Sequence, residues 1–482
     1  MLRTLFLNPP CYKDFDGGAG SRYQATREVT SFWYPTWLCY PAGMIPGSRV
    51  LDAPPLNLDV TEVVKIAADY DLVVLFTSSA SVGFDLRTVA ALKDAKPDQI
   101  VGLVGPQVSV LPEETLALSR ALDFVARREF DHTITELAQG QPWEDILGLS
   151  YRRQDRIHHN PDRPWIEDLD ALPWVTDIYH RDLDIQRYHI PYLKHPYISI
   201  YTGRGCPNRC VYCLWPQTFS GQKFRVRSVA DVAAEVKHAL ELFPQAAEIF
   251  FDDDTFTAKA PRARDLAREF GRLNFTWSAT ARVTTDYDTL KAMKEGGIRL
   301  VVVGYESGND QILQNIRKGA TLEQARRFTR WCKDLGIQIH GTFMVGLPGE
   351  TAASIQDSMK FACELDPDTI QVSLATPYPG TEFYDLCQRE GYFRPGALVD
   401  SDTGYQKCVL DYPGLKAEDI FQAVPRFYRQ FYFRPRYMAR ALKTMIFDAS
   451  ERKRLLREGK EFFGFLLRRS QGSHSSSSCK AC

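Results

Sequence analysis

Apolar positions along the chain fall into two alternating series. Residues 4–7, 49–51, 72–76, 100–104 and 124–126 are short runs rich in apolar residues. Continuous runs of this kind mark strands buried on both faces. Stretches with helical spacing separate them at 61–69, 85–94 and 113–119, the first with Val63, Val64, Ile66 and Ala67 on one side. This alternation predicts a doubly wound parallel sheet over 1–145, with a ligand beyond the strand C-termini, where Pro, Gly and Ser gather. Residues 146–195 have little periodicity and many His, Pro and Asp, and read as a linker. A second series has strands at 197–201, 248–251, 276–279, 300–304, 338–345 and 369–374. Its helices fall at 229–242, 260–273, 287–295, 322–335 and 353–364. Six β/α units over 196–385 predict a partial barrel of the TIM type. Residues 386–470 are helical and increasingly basic, and 471–482 form a serine-rich tail that reads as disordered. The fold class is α/β with a helical C-terminal extension.

The 482 residues suit two to four domains, and 44% hydrophobic with 25% charged residues excludes disorder over most of the length. Lys+Arg is 59 and Asp+Glu 60, a net charge of -1, so a whole-protein basic field for nucleic acid is excluded. No apolar run reaches the ~18–20 residues of a membrane span, and the N-terminal apolar stretch is too short for a signal peptide. A cytoplasmic protein is expected. From Arg426 to Arg469 thirteen Lys/Arg stand against four Asp/Glu, interleaved with aromatics such as Phe427, Tyr428, Phe431, Tyr432 and Phe462. Leu455, Phe462, Phe463, Leu466 and Leu467 fall near one helical face. This segment is a helical cover on the barrel, a basic amphipathic surface for peripheral association with the inner membrane or, last in order, a nucleic-acid patch of similar composition.

Three of the eleven cysteines lie together, at Cys206, Cys210 and Cys213, in the glycine-containing run 203–213 that follows the first barrel strand. Zinc would need a fourth protein ligand, and the next histidine, His238, is distant in sequence. Three thiolates on a cubane leave one iron open to a substrate or cofactor. Further along, Asp252, Asp253 and Asp254 end the second barrel strand. Three adjacent carboxylates need solvent, a cation or a helix N-terminus.

The spacing Cys-x-x-x-Cys-x-x-Cys, with Tyr212 before the last cysteine, resembles the radical S-adenosylmethionine (SAM) superfamily. The resemblance implies a [4Fe-4S] cluster on Cys206, Cys210 and Cys213, its fourth iron binding SAM, with an external electron donor. It places Tyr212 against the adenine and Glu306 on the ribose diol. It sets Asp252–Asp254 beside the methionine ammonium, and Arg282 on the methionine carboxylate or, alternatively, at the surface. Gly341 and Gly346 would allow close backbone approach to the ligand.

The N-terminal series is similar to the cobalamin-binding domain of one radical SAM branch, through residues 8–10, 70–73, 104–108 and 123–129. Gln107 stands where that branch often has histidine, and no Asp-x-His-x-x-Gly occurs in the domain. Cobalamin is therefore expected without a histidine on cobalt, or the domain has lost it. Over nearly the whole chain, residues 17–23, 31–37, 192–197, 214–218 and 431–435 resemble the hopanoid-biosynthesis-associated radical SAM family. That resemblance implies a hopanoid lipid substrate, a bacteriohopanetetrol glycoside whose glucosamine ring is contracted to a cyclitol ether. Trp33, Tyr34, Trp37, Trp215 and Phe219 would hold the apolar tail or pack in the core, and Asp253 and Gln217 would orient sugar hydroxyls. The competing readings are a cobalamin-dependent methyltransferase on the same fold and a non-catalytic lipid-binding protein.

Overall fold

The computed structural model describes residues 1–10, 29, 31–394, 407–447, 452 and 455–464. The stretch 17–23 and Cys479 and Cys482 lie outside the described residues.

The N-terminal sheet has seven strands. Its parallel part runs Arg49–Asp52, Thr4–Asn8, Leu72–Phe76, Ile100–Val104, Phe124–Ala126 across the sheet. Thr4–Asn8 and Leu72–Phe76 are buried at every position, as their unbroken apolar runs require. The chain winds outward in both directions from this central pair. Their C-terminal ends therefore form a topological switch point, the place where open parallel sheets bind ligands. Helix Val60–Ala67 starts where the pattern places it because Asp59 and Glu62 form a reciprocal capping box.

Several elements escape the periodicity reading, among them helix Val175–Asp182 within the stretch read as linker. Leu149–Arg153 and Arg156–His159 form an antiparallel hairpin on the edge of this sheet, inside the stretch read as linker. Its turn residues Gln154 and Asp155 have φ of 49° and 61°, a left-handed pair usually marked by Asn-Gly. Helix Thr36–Met44 is buried on most sides and contains Pro41, so it shows neither a polar face nor an uninterrupted helical composition.

The second sheet has six parallel strands in chain order: Tyr197–Ile200, Glu248–Phe251, Trp277–Ala281, Ile298–Glu306, Gln338–Val345 and Thr369–Leu374. Helices Val229–Leu242, Ala260–Leu273, Tyr287–Glu295, Leu322–Asp334 and Ala352–Leu365 cover it. The result is an open partial barrel. Outward side chains pack on helices: Phe251 stacks on Phe270 and Phe343 meets Phe427. The alternate, inward positions Thr280, Val302, Gly304, Thr342, Met344, Gln371 and Ser373 are only partly buried, which leaves an accessible lumen.

Helix Ala417–Tyr432 covers the last two barrel strands. Tyr428 Oη accepts from Val372 N at 2.9 Å, and Tyr432 Oη from Ile370 N at 3.0 Å. Phe427 and Phe431 are fully buried, so this helix is a cover and not a docking surface. Among the described residues no helix is long and apolar enough to cross a membrane.

The two sheets present their C-terminal ends to each other. Phe76, the last residue of its strand, lies 6.5 Å from Trp215 in the barrel, and Trp37 stacks on Trp215 at 5.8 Å. Beside them, a Cβ on Gly380 would lie 2.5 Å from Val110 and 3.0 Å from Thr218, so three loops from both sheets meet there.

Candidate active site

The cysteine run leaves the first barrel strand over an anchor supplied by Asp253. This fully buried carboxylate accepts from Thr202 N at 2.6 Å, from Gly203 N at 3.1 Å and from the Thr202 hydroxyl. Burial pushes its pKa up to about 6, against these hydrogen bonds. Gly205 then turns at φ +87°, where a Cβ would stand 2.4 Å from the Lys223 carbonyl. Cys206 N bonds to Gly221 O at 3.2 Å, and Asn208 Nδ2 donates to Cys206 Sγ at 3.1 Å. Gln217 Nε2 gathers the carbonyls of Cys210, Val211 and Cys213 at 3.2, 3.2 and 2.8 Å. Its Oε1 accepts from Glu382 N at 2.9 Å, so both ends of this amide are used on backbone rather than turned toward a sugar.

Cys206 and Cys210 are buried and Cys213 is half-buried. Among the described residues no three His, Cys, Asp or Glu side chains converge on a single ion, and the described cysteines form no disulfide. Three thiols spread along one loop suit a larger body bound at three corners, as the donor set of an iron–sulfur cubane requires.

Opposite the loop, strand Ile298–Glu306 ends in a register shift, and Glu306 takes φ +64°, a strained conformation for a residue with a side chain. Lys318 Nζ donates to Glu306 Oε1 at 2.7 Å, and burial together with the nearby Glu306 carboxylate holds the Tyr212 pKa well above its usual value. Burial opposes the Lys318 charge, but Glu306 and Cys210 hold its pKa above the usual value. A Cβ on Gly304 would fall 2.1 Å from Glu306 Oε1 and 2.7 Å from Lys318 Nζ, so only glycine leaves room for this pair. Arg282 donates to Lys318 O at 2.9 Å and to Asn208 Oδ1. It is therefore not a surface arginine. Cys206, Asn208, Arg282, Lys318, Glu306 and Tyr212 are linked in one network around the cysteine loop. Lys318 escapes sequence reasoning, since it follows a short helix with no motif around it.

The remaining predicted residues divide. Asp252 accepts from Tyr201 Oη at 3.2 Å and Asp254 from Ser220 Oγ at 2.9 Å, so the three carboxylates turn to separate partners. They do not cap the next helix, whose N-cap is Lys259. Gly341 is explained by packing, because a Cβ there would meet the Tyr305 ring at 2.9 Å. Gly346 sits at φ +90°, its N–H donating to Glu350 Oε2 at 2.6 Å and its carbonyl accepting from Tyr412 Oη at 2.8 Å. Burial pushes the Glu350 pKa up to about 8. Of the aromatic group, Tyr34, Trp37 and Phe219 pack in the core, while Trp33 and Trp215 are only partly buried. Tyr34 stacks on Tyr188 at 4.1 Å and donates to Tyr197 O at 2.6 Å, and Phe219 is fully buried among Trp37, Trp215 and Phe76.

Sequence reasoning also missed a buried charge cluster that joins the cysteine loop to the N-terminal sheet. Arg204, two residues before Cys206, donates to Asp131 at 3.0 Å through each terminal nitrogen and to Glu129 at 3.2 Å. Arg225 makes a two-pronged pair with Glu129 at 2.7 and 2.8 Å. All four side chains are at most 2% exposed, and Arg204 lies over the Trp37 and Tyr40 rings. Glu129 and Asp131 stand just past the fifth parallel strand, so the network spans the two sheets at their facing ends.

An open parallel barrel with a three-cysteine loop at its C-terminal end, under a second sheet that points its ligand-binding edge at that loop, defines a radical enzyme fold with an added nucleotide- or corrin-type domain. Residues 200–362 match the model of the radical SAM superfamily. The chain is 31% identical to an uncharacterized methyltransferase of Pyrococcus horikoshii, over 84% of this chain and 89% of that protein. Among solved structures it is similar to the radical SAM methyltransferase TsrM of Kitasatospora setae, described with tryptophan and a SAM analogue bound. There the TM-score is 0.63 at 19% identity, covering 90% of this chain and 83% of that one. It is also similar to the cobalamin-dependent radical enzyme OxsB, described with aqua-cobalamin and SAM bound, with a TM-score of 0.67 at 13% identity over all of this chain and 82% of that one. The chain belongs to the radical SAM superfamily and is a radical SAM enzyme.

Proposed function

We propose that this chain is a cobalamin-dependent radical SAM methyltransferase. The observation that carries the proposal is the apposition of the two sheet ends. The switch point of the N-terminal sheet faces the cysteine loop across Trp37, Phe76 and Trp215, so a ligand on one sheet would reach the same space as a ligand on the other. The relatives named as methyltransferases support methyl transfer over ring contraction of an amino-sugar lipid.

In this reading Cys206, Cys210 and Cys213 hold a [4Fe-4S] cluster, and Tyr212, Glu306, Lys318 and Arg282 shape the SAM side. The edge at the C-terminal ends of strands Thr4–Asn8, Leu72–Phe76 and Ile100–Val104 would hold cobalamin, with Ser79 donating to Gln107 at 2.7 Å where histidine often stands in that branch. When bound, the cluster with SAM supplies a 5′-deoxyadenosyl radical and cobalamin supplies a methyl group. The chain's own residues do the rest. The Arg204–Asp131 and Arg225–Glu129 pairs fix the loop against the N-terminal sheet. The aromatic contacts around Trp215 exclude water from the space between the sheets, which protects a radical from quenching.

The lumen limits the substrate. Its inward side chains Thr280, Thr342, Gln371 and Ser373 are uncharged, and burial lowers the His340 pKa to about 3, so its imidazole is neutral. A neutral hydrogen-bonding group fits that lining, and the charged pair beside Ser278, Arg299 donating to Glu248 at 2.8 Å, is already engaged with itself. The test is anaerobic reconstitution, then incubation with reductant, cobalamin, SAM and trial acceptors. A product heavier by one methyl group, with S-adenosylhomocysteine, supports the proposal. A product of unchanged mass from bacteriohopanetetrol glycoside, with 5′-deoxyadenosine alone, returns the reading to ring contraction.

A further inference from the structure

Helix Pro435–Phe447 follows the barrel cover and has no buried residue. Met438, Leu442 and Ile446 recur every fourth position and are 54%, 58% and 61% exposed, and Phe447 is 79% exposed. Residues four apart share a helical face, so Met438, Leu442 and Ile446 form one apolar stripe in water, while Phe447, at the helix end, lies off that face. Arg436 and Lys443 lie along one edge of the stripe, Arg436 81% exposed although 3.4 Å from Asp366, and residues 434–447 contain no Asp or Glu. The helix is nevertheless held firmly. Arg434 donates to Cys363 O at 2.7 Å and to Asp366 at 2.8 Å, and Arg440 donates to Pro367 O at 3.1 Å. Asp366 and Pro367 lie between helix Ala352–Leu365 and strand Thr369–Leu374, at the N-terminal end of the barrel.

We propose that this helix docks the enzyme on an anionic membrane surface, with Met438, Leu442 and Ile446 entering the headgroup boundary and Arg436 and Lys443 meeting lipid phosphates. An apolar stripe with a cationic edge is the pattern of helices that lie in an interface, and acidic headgroups complement a segment of one charge sign. A second copy of the chain fits less well, because a two-fold contact would set these cations against themselves. The inference revises the face expected from sequence, since Phe462 packs against Tyr428 and Tyr432. It also fixes an orientation. The docking helix is at the opposite end of the strands from the cysteine loop, so the cysteine loop faces away from the bilayer.

The inference stands independently of the proposed methyl transfer. The experiment is flotation of the full chain with vesicles of phosphatidylcholine, alone or mixed with phosphatidylglycerol. The native protein should float with the mixed vesicles only, and salt should weaken the association. The variant L442E/I446E should lose flotation while keeping its cluster absorbance and its SAM cleavage, which shows that it folds. Failure of the native chain to float with mixed vesicles overturns the proposal, as does flotation of the variant at the native level. A native dimer that the variant converts to monomer would assign the stripe to a second copy and also overturn it.

Discussion

At the residue scale the cysteine loop makes the firmest demand. Cys206→Ala, Cys210→Ala and Cys213→Ala should each abolish cluster assembly and SAM cleavage, since residues 203–213 contain no other cysteine or histidine to take over as ligand. Electron paramagnetic resonance of the reduced variants checks this, and a full [4Fe-4S] signal would exclude that cysteine. Glu306→Gln removes the charge that Lys318 and Tyr212 engage, while leaving the loop itself intact. Loss of a hydrogen bond to a charged group is worth about 1.5–3 kcal/mol, so SAM affinity should fall roughly ten- to a hundredfold. Equilibrium binding measures it, and an unchanged dissociation constant would make Glu306 purely structural. The cysteines and Glu306 are legible in sequence because their chemistry sits in short local motifs. Lys318 and the reason for Gly304 are not, since both depend on a strand and a loop meeting in space.

Glu350 carries a pH effect of definite sign. Its pKa rises from 4.5 to about 8 in the fold, through burial. Between those values the unfolded carboxyl is ionised while the folded one keeps its proton, so folding takes up a proton and stability falls as pH rises. Thermal midpoints should decline across that window, and Glu350→Gln should flatten the decline. An identical slope in the variant would show that Glu350 ionises freely in the native state.

At the scale of elements, the Arg204–Arg225–Glu129–Asp131 network decides how the cysteine loop is held. Glu129→Gln leaves two buried guanidinium groups with one carboxylate between them. Breaking a buried pair this way costs ~3–5 kcal/mol, because the remaining charge stays desolvated. The thermal midpoint should drop well below that of the native chain, with cluster loading falling alongside it. A drop comparable to that of a surface substitution would mean water reaches the network. The barrel strands were legible because continuous apolar runs and helical periods alternate cleanly. Helices Val229–Leu242 and Ala260–Leu273 begin and end where the periodicity places them. Helix Thr36–Met44 and the 149–159 hairpin were not, because one is apolar nearly all round and the other is a polar edge with a turn lacking glycine.

At the scale of the whole molecule, two sheets legible separately in the sequence acquire their meaning from their relative placement. No residue pattern states that the strand ends face each other. That follows from Trp37, Phe76, Val110 and the buried ion pairs converging on residues 204–219 and the turn at Gly380. The central claim is that this apposition serves methyl transfer. The most direct test incubates the reconstituted enzyme anaerobically with reductant and SAM labelled in its methyl group, with and without cobalamin, and follows the nucleoside products by mass spectrometry. The account predicts S-adenosylhomocysteine that forms only when cobalamin is present, with the label transferred off SAM. Production of 5′-deoxyadenosine alone, at the same rate with or without cobalamin, would contradict it.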